Sequence, residues 1–283
     1  MSEEEREVLF DSHAHINFEK YTDEERNALM KEIDQSDVSY VMDVAFDLAS
    51  SLQSVKDAES RDWCYAVVGI HPHETGNADE MEIALIEGLA KKDKVQAIGE
   101  IGLDYHYMLS SKEEQQKWFR EQIRLANRLK MPIVIHSREA SKDTLDILKE
   151  EGAFSEERKS WFPERKTAEG ISGKDARVLL HCYSGSAQEA LQYVKLGGTI
   201  SMAGPLTFKN NRKGVEVVEK VPIEYLLVET DAPYLTPEPH RGKPNKSPYV
   251  EHTVRRMAVI KGLPYEEVAR ITCENAKRFF NIK

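Results

Sequence analysis

The stretch EVLFDSHAH, residues 7–15, joins an apolar run to two histidines one residue apart, and it begins a pattern that repeats along the chain. Seven further runs of the same kind end in polar residues, and each is followed by an amphipathic segment. They are SYVMDVAF (39–46), CYAVVGIHPH (64–73), VQAIGEIGLDY (95–105), PIVIHSR (132–138), RVLLHCYSG (177–185), GGTISMAGP (197–205) and YLLVETDAP (225–233). Nearly continuous apolar runs are typical of parallel strands whose outer face is covered by helices.

The segments between these runs carry signals of helix ends. Ser111 with Glu114, and Ser186 with Glu189, have the spacing of a capping box, and Ser247 before a proline predicts a third helix start. Strands that alternate with helices eight times predict one α/β domain over residues 1–283, a (β/α)8 TIM barrel with a terminal helix. A doubly wound open sheet is the alternative, because strand order cannot be read from a sequence.

Composition excludes several classes of protein. A chain of 283 residues that is 40% hydrophobic is long enough to bury a large core, and its net charge of −10 argues against a broad basic face for duplex DNA. No run approaches the roughly 18 apolar residues of a membrane span, and the acidic N-terminus is unlike a secretory signal. We therefore expect a cytoplasmic protein without a membrane partner. Cys64, Cys182 and Cys273 lie far apart and are expected to be buried thiols.

The segment over residues 150–176 is long and polar for a connection between a helix and a strand. In a barrel, a connection that leads from a helix to the next strand lies on the face opposite the active site. We expect this insertion to affect stability or assembly and not to form a lid.

Polar side chains that can bind metal end five of the predicted strands. His13 and His15 are two residues apart, so on a strand they point to the same side, about 6 to 7 Å apart. The other four are Glu100, His136, His181 and Asp231. In a barrel the carboxyl ends of the strands converge on one mouth, where catalytic groups lie.

Four imidazoles and two carboxylates exceed the ligands of one tetrahedral ion and favour two divalent metals. Glu100 is the predicted bridging ligand, because a carboxylate offers two oxygens. Asp231 is predicted to bind one ion and to act as the base that takes a proton from water. Asp104 is expected either to orient a ligand or to cap a loop. His106 and His252 are expected to be surface or packing residues.

Seven motifs together resemble those of the TatD-type metal-dependent deoxyribonucleases, within the amidohydrolase-like barrels. They are DSHAH (11–15), GIHPH (69–73), GEIGLDY (99–105), IHSR (135–138), HCYSG (181–185), ETDAPYL (229–235) and RGKPN (241–245). The resemblance implies hydrolysis of DNA phosphodiester bonds at single-stranded 3′ ends, with two ions of Mg, Mn or Zn. It also implies the same six ligands, with His71 and Arg241 facing the substrate.

One departure from the family pattern is the long spacing between His136 and His181, which includes the insertion and leaves the oligomeric state open. Two other enzyme classes share this chemistry: binuclear amidohydrolases acting on a small cyclic amide, and TatD-like deacylases of mischarged aminoacyl-tRNA. Many amidohydrolases carry a modified lysine where this chain has Glu100, which favours the phosphodiesterase. A non-catalytic binding protein is the remaining alternative, although none of the six ligands is missing.

Overall fold

The computed structural model describes residues 8–165 and 171–283, and one sheet of eight parallel strands forms its centre. The strands are β1 (Leu9–Ala14), β2 (Val38–Val44), β3 (Cys64–Val68), β4 (Val95–Asp104), β5 (Ile133–Arg138), β6 (Val178–Leu180), β7 (Gly198–Met202) and β8 (Leu226–Val228). Seven of the eight predicted runs contain one of them, and the second run, residues 39–46, overlaps β2 but misses its first residue, Val38. The strands pair strictly in chain order. This order excludes the doubly wound alternative, in which the order reverses at a switch point.

The first and last strands meet at their carboxyl ends. The backbone amide of Asp231 donates to the carbonyl of His13 at 2.8 Å, and the amide of His15 donates to the carbonyl of Ala232 at 2.8 Å. Ala14 and Ala232 form a parallel bridge between these hydrogen bonds. The sheet therefore closes on itself at the mouth, which confirms the predicted TIM barrel.

Helices surround the sheet. They are α1 (Asp23–Asp34), α2 (Leu48–Ser60), α3 (Glu80–Ala90), α4 (Lys112–Leu129), α5 (Ser141–Glu150), α6 (Glu156–Ser160), α7 (Ala187–Leu196), α8 (Arg212–Lys220), α9 (Val250–Lys261) and α10 (Tyr265–Phe279). The capping boxes of Ser111 and Ser186 form as predicted at the starts of α4 and α7. The third predicted start differs, because Ser247 opens a single 3-10 turn and α9 begins only at Val250.

The barrel interior is filled by inward-facing strand residues and closed from below by the terminal helix. Phe10, Val67 and Leu227 belong to one buried cluster with Phe279 and Phe280. The rings of Phe10 and Phe280 stack with their centroids 6.1 Å apart. Burying each such ring contributes about 1.5–3 kcal/mol. The C-terminal segment thus plugs the amino-terminal end of the barrel, which leaves the opposite end for the functional site.

The long connection between α5 and β6 contacts the amino-terminal ends of the strands. Arg158 is fully buried, and its guanidinium donates to the carbonyls of Ala176 at 2.8 Å and Met131 at 2.7 Å. Arg165 donates to the carbonyl of Gly198, the first residue of β7, at 2.9 Å. Residues 166–170 of the predicted insertion lie outside the described residues.

The cysteines carry no disulfide. Cys64 and Cys273 are buried as expected, whereas Cys182 is only partly buried because it lies beyond the end of β6. Burial and nearby carboxylates raise the pKa of the Cys182 thiol well above its usual range, so it does not supply a thiolate. In the described ranges, no helix is both long and apolar enough to cross a membrane.

Candidate metal centre

The six predicted ligands come together at the carboxyl end of the barrel. In chain order they are His13 in β1, His15 after β1, Glu100 in β4, His136 in β5, His181 directly after β6 and Asp231 after β8. Their side chains are between 0% and 18% exposed, so the cluster is largely shielded from bulk water. Strands far apart in the chain therefore supply one compact group of imidazoles and carboxylates.

The two carboxylate oxygens of Glu100 face different histidines. Oε2 lies 3.3 Å from Nε2 of His13 and 4.0 Å from Nε2 of His15. Oε1 lies 2.8 Å from Nδ1 of His136 and 2.7 Å from Nε2 of His181. Glu100 thus divides the four imidazoles into two pairs, and this is the placement that a bridging carboxylate needs.

Asp231 stands beside the first of these pairs. Its Oδ1 lies 3.3 Å from Nε2 of His15 and 3.7 Å from Nε2 of His13. The backbone of Asp231 is left-handed, with φ of 56°, a conformation that aspartate adopts more readily than most residues. This turn directs the carboxylate to the centre just beyond the end of β8.

A glycine permits close packing beside His136. Gly102 has φ of 145°, and a Cβ added there would lie 1.9 Å from the carbonyl oxygen of His136. Any side chain at this position would push β5 away from β4 and displace a predicted ligand. Only glycine fits at position 102, because the backbones of β4 and β5 approach each other closely beside His136.

In three of the four histidines, the ring nitrogen that faces away from the cluster lies close to a hydrogen-bond acceptor. Nδ1 of His15 lies 2.7 Å from the carbonyl oxygen of Val44. The corresponding acceptor for His136 is the carboxylate of Asp104, 3.1 Å from Nε2. With a proton on the outer nitrogen, each neutral ring presents a lone pair to the centre, as metal-binding histidines do.

His13 provides the test of whether this centre fits a metal. Its ring is fully buried, and within the described part of the chain neither nitrogen has a hydrogen bond of good geometry. A buried imidazole without hydrogen bonds is costly unless another ligand satisfies it. Ligand atoms of His13, His15 and Glu100 lie within 4.8 Å of one another. The donor set therefore fits divalent cations.

Both carboxylates of the centre are held in the ionised form. Burial alone would raise the pKa of Glu100, but the positive charge of His181 and the hydrogen bond with His136 hold it well below its usual range. Burial alone would also raise the pKa of Asp231, but the hydrogen bond with His15 brings this pKa below its usual value. Ionised carboxylates are the form that metal binding requires.

The imidazoles differ in their affinity for protons. Burial alone would lower the pKa of His15, and its pairing with Asp231 raises it to about 9. The pKa of His181 is raised well above the usual range by Glu100, again against the effect of burial. Burial and the charge of His181 lower the pKa of His13. Cations that bound here would displace protons from His15 and His181.

His71 lies next to the cluster but in the orientation of a hydrogen-bond donor. The backbone amide of His73 donates to its Nδ1 at 3.1 Å, so the neutral ring carries its proton on Nε2. That nitrogen lies 3.4 Å from Oε1 of Glu100. Burial lowers the pKa of His71 to about 4, which keeps the ring neutral. A protonated Nε2 can donate to a substrate but cannot bind a metal.

Asp104 combines the two roles considered for it. One oxygen, Oδ2, lies 3.1 Å from Nε2 of His136 and 2.9 Å from Nε2 of His73. The other, Oδ1, accepts from the amides of His106 and Tyr107, both at 2.9 Å. The carboxylate therefore caps the loop after β4 and orients a predicted ligand at the same time.

Comparison with known proteins identifies the family. A family model described as TatD related DNase matches residues 10–281. The chain belongs to this family. It is 40% identical over 275 residues to an uncharacterized metal-dependent hydrolase, YabD, of Bacillus subtilis, covering 97% of this chain and all of that protein. It is 30% identical to a protein of Erwinia tasmaniensis named 3′-5′ ssDNA/RNA exonuclease TatD, over 91% of this chain and 94% of the relative.

A solved structure of a TatD homologue supports the same assignment. The protein YJJV of Escherichia coli K12 superimposes with a TM-score of 0.82 at 26% identity, covering 97% of this chain and 98% of that one. The family membership predicted from the seven motifs is confirmed. The chain is thus a metal-dependent hydrolase of the TatD family.

The TatD centre includes one carboxylate that the sequence analysis missed. Glu229 is fully buried, and its Oε1 lies 3.3 Å from Nδ1 of His181. The hydroxyl of Ser201 donates to its other oxygen. Glu229 is therefore the outer acceptor of His181, the third of the three imidazoles that have one. The available signal was its position two residues before Asp231, at the polar end of the same predicted run.

The other residues considered in the sequence analysis have described contacts with neighbours outside the cluster. Arg241 is exposed, and its guanidinium lies over the ring of Phe208, 4.3 Å from the centroid. His106 is 40% exposed and pairs with Glu139 at 2.7 Å, as expected of a surface residue. His252 is on α9, where its ring lies 5.0 Å from that of His240. None of these described contacts joins Arg241 to the cluster.

A cavity of about 380 Å³ opens beside the centre. His181 is one of its lining residues, and its wall carries two basic side chains and two acidic ones, namely Arg138, Lys213, Glu139 and Glu189. Its volume falls in the range of small-ligand pockets. The TatD centre thus has room next to it for part of a substrate.

Proposed function

We propose that the protein is an exonuclease that hydrolyses phosphodiester bonds at the 3′ ends of single-stranded DNA. The observation that carries this proposal is the placement of Glu100, whose two oxygens each face one pair of imidazoles. Such a centre suits two divalent ions of Mg, Mn or Zn. The exonuclease name of the Erwinia tasmaniensis relative supports the choice of substrate class.

In this proposal His13, His15 and Asp231 would hold one divalent ion, His136 and His181 would hold a second, and both sets would share the carboxylate of Glu100. Divalent ions at these positions would polarise the phosphoryl group and a water molecule. Asp231 is ionised and lies at the edge of the cluster, so its carboxylate can accept the proton that the attacking water loses.

Two further residues are proposed to contact the substrate. The neutral ring of His71 presents its Nε2 proton to the centre, where it can donate to a phosphate oxygen. Arg241 is exposed at the mouth on the loop after β8, and its guanidinium can pair with a phosphate in a bidentate manner. A site of this size holds the end of a strand, which is compatible with the net charge of −10.

The test is digestion of single- and double-stranded oligonucleotides, labelled at either end, with Mg, Mn or EDTA. We expect products that shorten stepwise from the 3′ end of single strands, and no cleavage with EDTA. Asp231→Asn should abolish cleavage and retain the circular dichroism spectrum, whereas His106→Ala should retain activity. Parallel assays use cyclic amides and mischarged aminoacyl-tRNA. Turnover of either without stepwise DNA products would replace the exonuclease by that alternative.

A further inference from the structure

Two tyrosines stand out among the aromatic side chains of the described residues. Tyr107 is 54% exposed and Tyr234 is 50% exposed, and every other described Phe, Trp or Tyr is buried or half-buried. Both lie on loops that follow a strand, Tyr107 between β4 and α4 and Tyr234 between β8 and α9. Both tyrosines are therefore at the mouth of the barrel, on the same face as the metal centre.

The tyrosines flank the centre from opposite sides. The ring of Tyr234 lies 6.1 Å from that of His15, on the side of the first imidazole pair. The ring of Tyr107 lies 5.5 Å from that of His73, whose partner Asp104 contacts the second pair. Strands β4 and β8 are four positions apart in an eight-stranded order, so their loops face each other across the mouth.

Neighbouring side chains hold each ring without covering it. Phe18 lies 5.8 Å from Tyr234 in an edge-to-face arrangement. The guanidinium of Arg138 lies 4.7 Å from the centroid of Tyr107. Met108, Leu109 and Leu235, adjacent in sequence to the tyrosines, are also exposed. Apolar surface gathered on two loops around a polar site is typical of a binding surface.

We propose that Tyr107 and Tyr234 are stacking platforms for the bases on either side of the phosphodiester that is cleaved. This inference rests on the proposed exonuclease function. Bases of a single strand have free faces that stack on aromatic rings, whatever their identity. Bases within a duplex are already stacked on each other, so the two platforms would select single strands. Arg138 beside Tyr107 is placed to pair with the phosphate next to the stacked base.

The test compares two substrates with the same backbone. One is an oligothymidylate, and the other is an abasic strand of equal length, which has the phosphates but no bases. Wild-type protein should prefer the strand with bases, and Tyr107→Ala and Tyr234→Ala should each reduce the ratio of the two kcat/KM values about 5- to 150-fold. Tyr→Phe at either position keeps the ring and should restore the ratio. Val259→Ala, at a residue 72% exposed on α9, is the matched control and should not change it.

Anisotropy of a fluorescent oligothymidylate, measured with metal-free protein, gives a second readout that does not depend on turnover. We expect both alanine variants to bind this strand more weakly than the wild type and the Val259→Ala control. If the wild-type protein is active and both alanine variants have an unchanged substrate ratio, the stacking role of the two tyrosines is refuted. The proposed exonuclease function is then unaffected. Wild-type protein that cleaves neither strand overturns the exonuclease, and equal anisotropy affinities then overturn the platforms separately.

Discussion

Replacement of Glu229 by glutamine tests whether an outer carboxylate controls the metal centre. The substitution keeps the shape of the side chain and removes its charge. Glu229 is fully buried and its carboxylate contacts His181 and Ser201, so the His181 ring is the part of the cluster that loses a direct contact. We expect Glu229→Gln to weaken metal binding without altering the fold.

The expected size of the effect follows from the contact distance. Loss of the outer partner of a ligating histidine costs about 10- to 100-fold in metal affinity, or about 1.4–2.7 kcal/mol. Oε1 of Glu229 lies 3.3 Å from Nδ1 of His181, longer than the usual hydrogen bond of about 2.9 Å. The lower end of the range therefore applies, and the affinity should fall about tenfold.

The assay is calorimetric titration of chelator-treated protein with Mn²⁺ at alkaline pH, where protons compete least for the imidazoles. Only one of two binding events, assigned to the pair His136 and His181, should weaken strongly. Glu139→Gln is the matched control, because Glu139 contacts Nδ1 of His106 at 2.7 Å outside the centre. This control should bind Mn²⁺ as the wild type does.

Two results would refute the reasoning. Wild-type affinity in a folded Glu229→Gln protein would mean that the orientation of His181 does not depend on its outer carboxylate. An equal loss in the Glu139→Gln control would mean that the effect arises from the general loss of negative charge. A tenfold loss confined to Glu229→Gln supports the assignment of His181 as a ligand.

Two further predictions concern pH and stability. His15 pairs with Asp231 so that its pKa is raised to about 9 against the effect of burial, and below that pH the metal-free ring is protonated. Mn²⁺ binding should therefore release protons and tighten as pH rises toward 9, with heats that depend on the ionisation enthalpy of the buffer; buffer-independent heats would contradict this. Arg158→Met removes hydrogen bonds from a fully buried guanidinium to the carbonyls of Ala176 and Met131 and should lower the free energy of unfolding by about 2–4 kcal/mol in urea. Arg255→Met, at a side chain 55% exposed, should cost less than about 1 kcal/mol, and equal costs would refute the role of burial.

Much of the fold could be predicted because the strands of a covered parallel sheet are apolar along their whole length. Their ends are visible as abrupt changes to polar residues, such as the change from Val134 and Ile135 to His136. The six ligands followed from the same rule, since the ends of parallel strands converge. The helix start predicted at Ser247 shows the limit of such sequence signals. Ser247 opens a 3-10 turn, and the α-helix begins three residues later at Val250.

Asp104 was considered as an outer acceptor from the sequence, but Val44 and Glu229 were not, because their contacts depend on strand register and side-chain direction. Val44 contributes only a carbonyl oxygen to His15, which no residue type reveals. Glu229 contacts a histidine 48 positions earlier in the chain, across β7. Only the completed barrel shows that Val44 and Glu229 adjoin these histidines, so the sequence predicts which ligands meet but not every group that orients their rings.

The same contacts separate the parts of the molecule that fix the cations from those that face a substrate. The acceptors of His15, His136 and His181 belong to strands β2 and β4 or directly follow β8. Sheet hydrogen bonds hold these positions, so the centre is rigid wherever the barrel is folded. Tyr107 and Tyr234 instead lie on loops, whose exposed residues can change without disturbing the sheet. Loop substitutions in this family should therefore alter the choice of substrate while the metal chemistry is preserved.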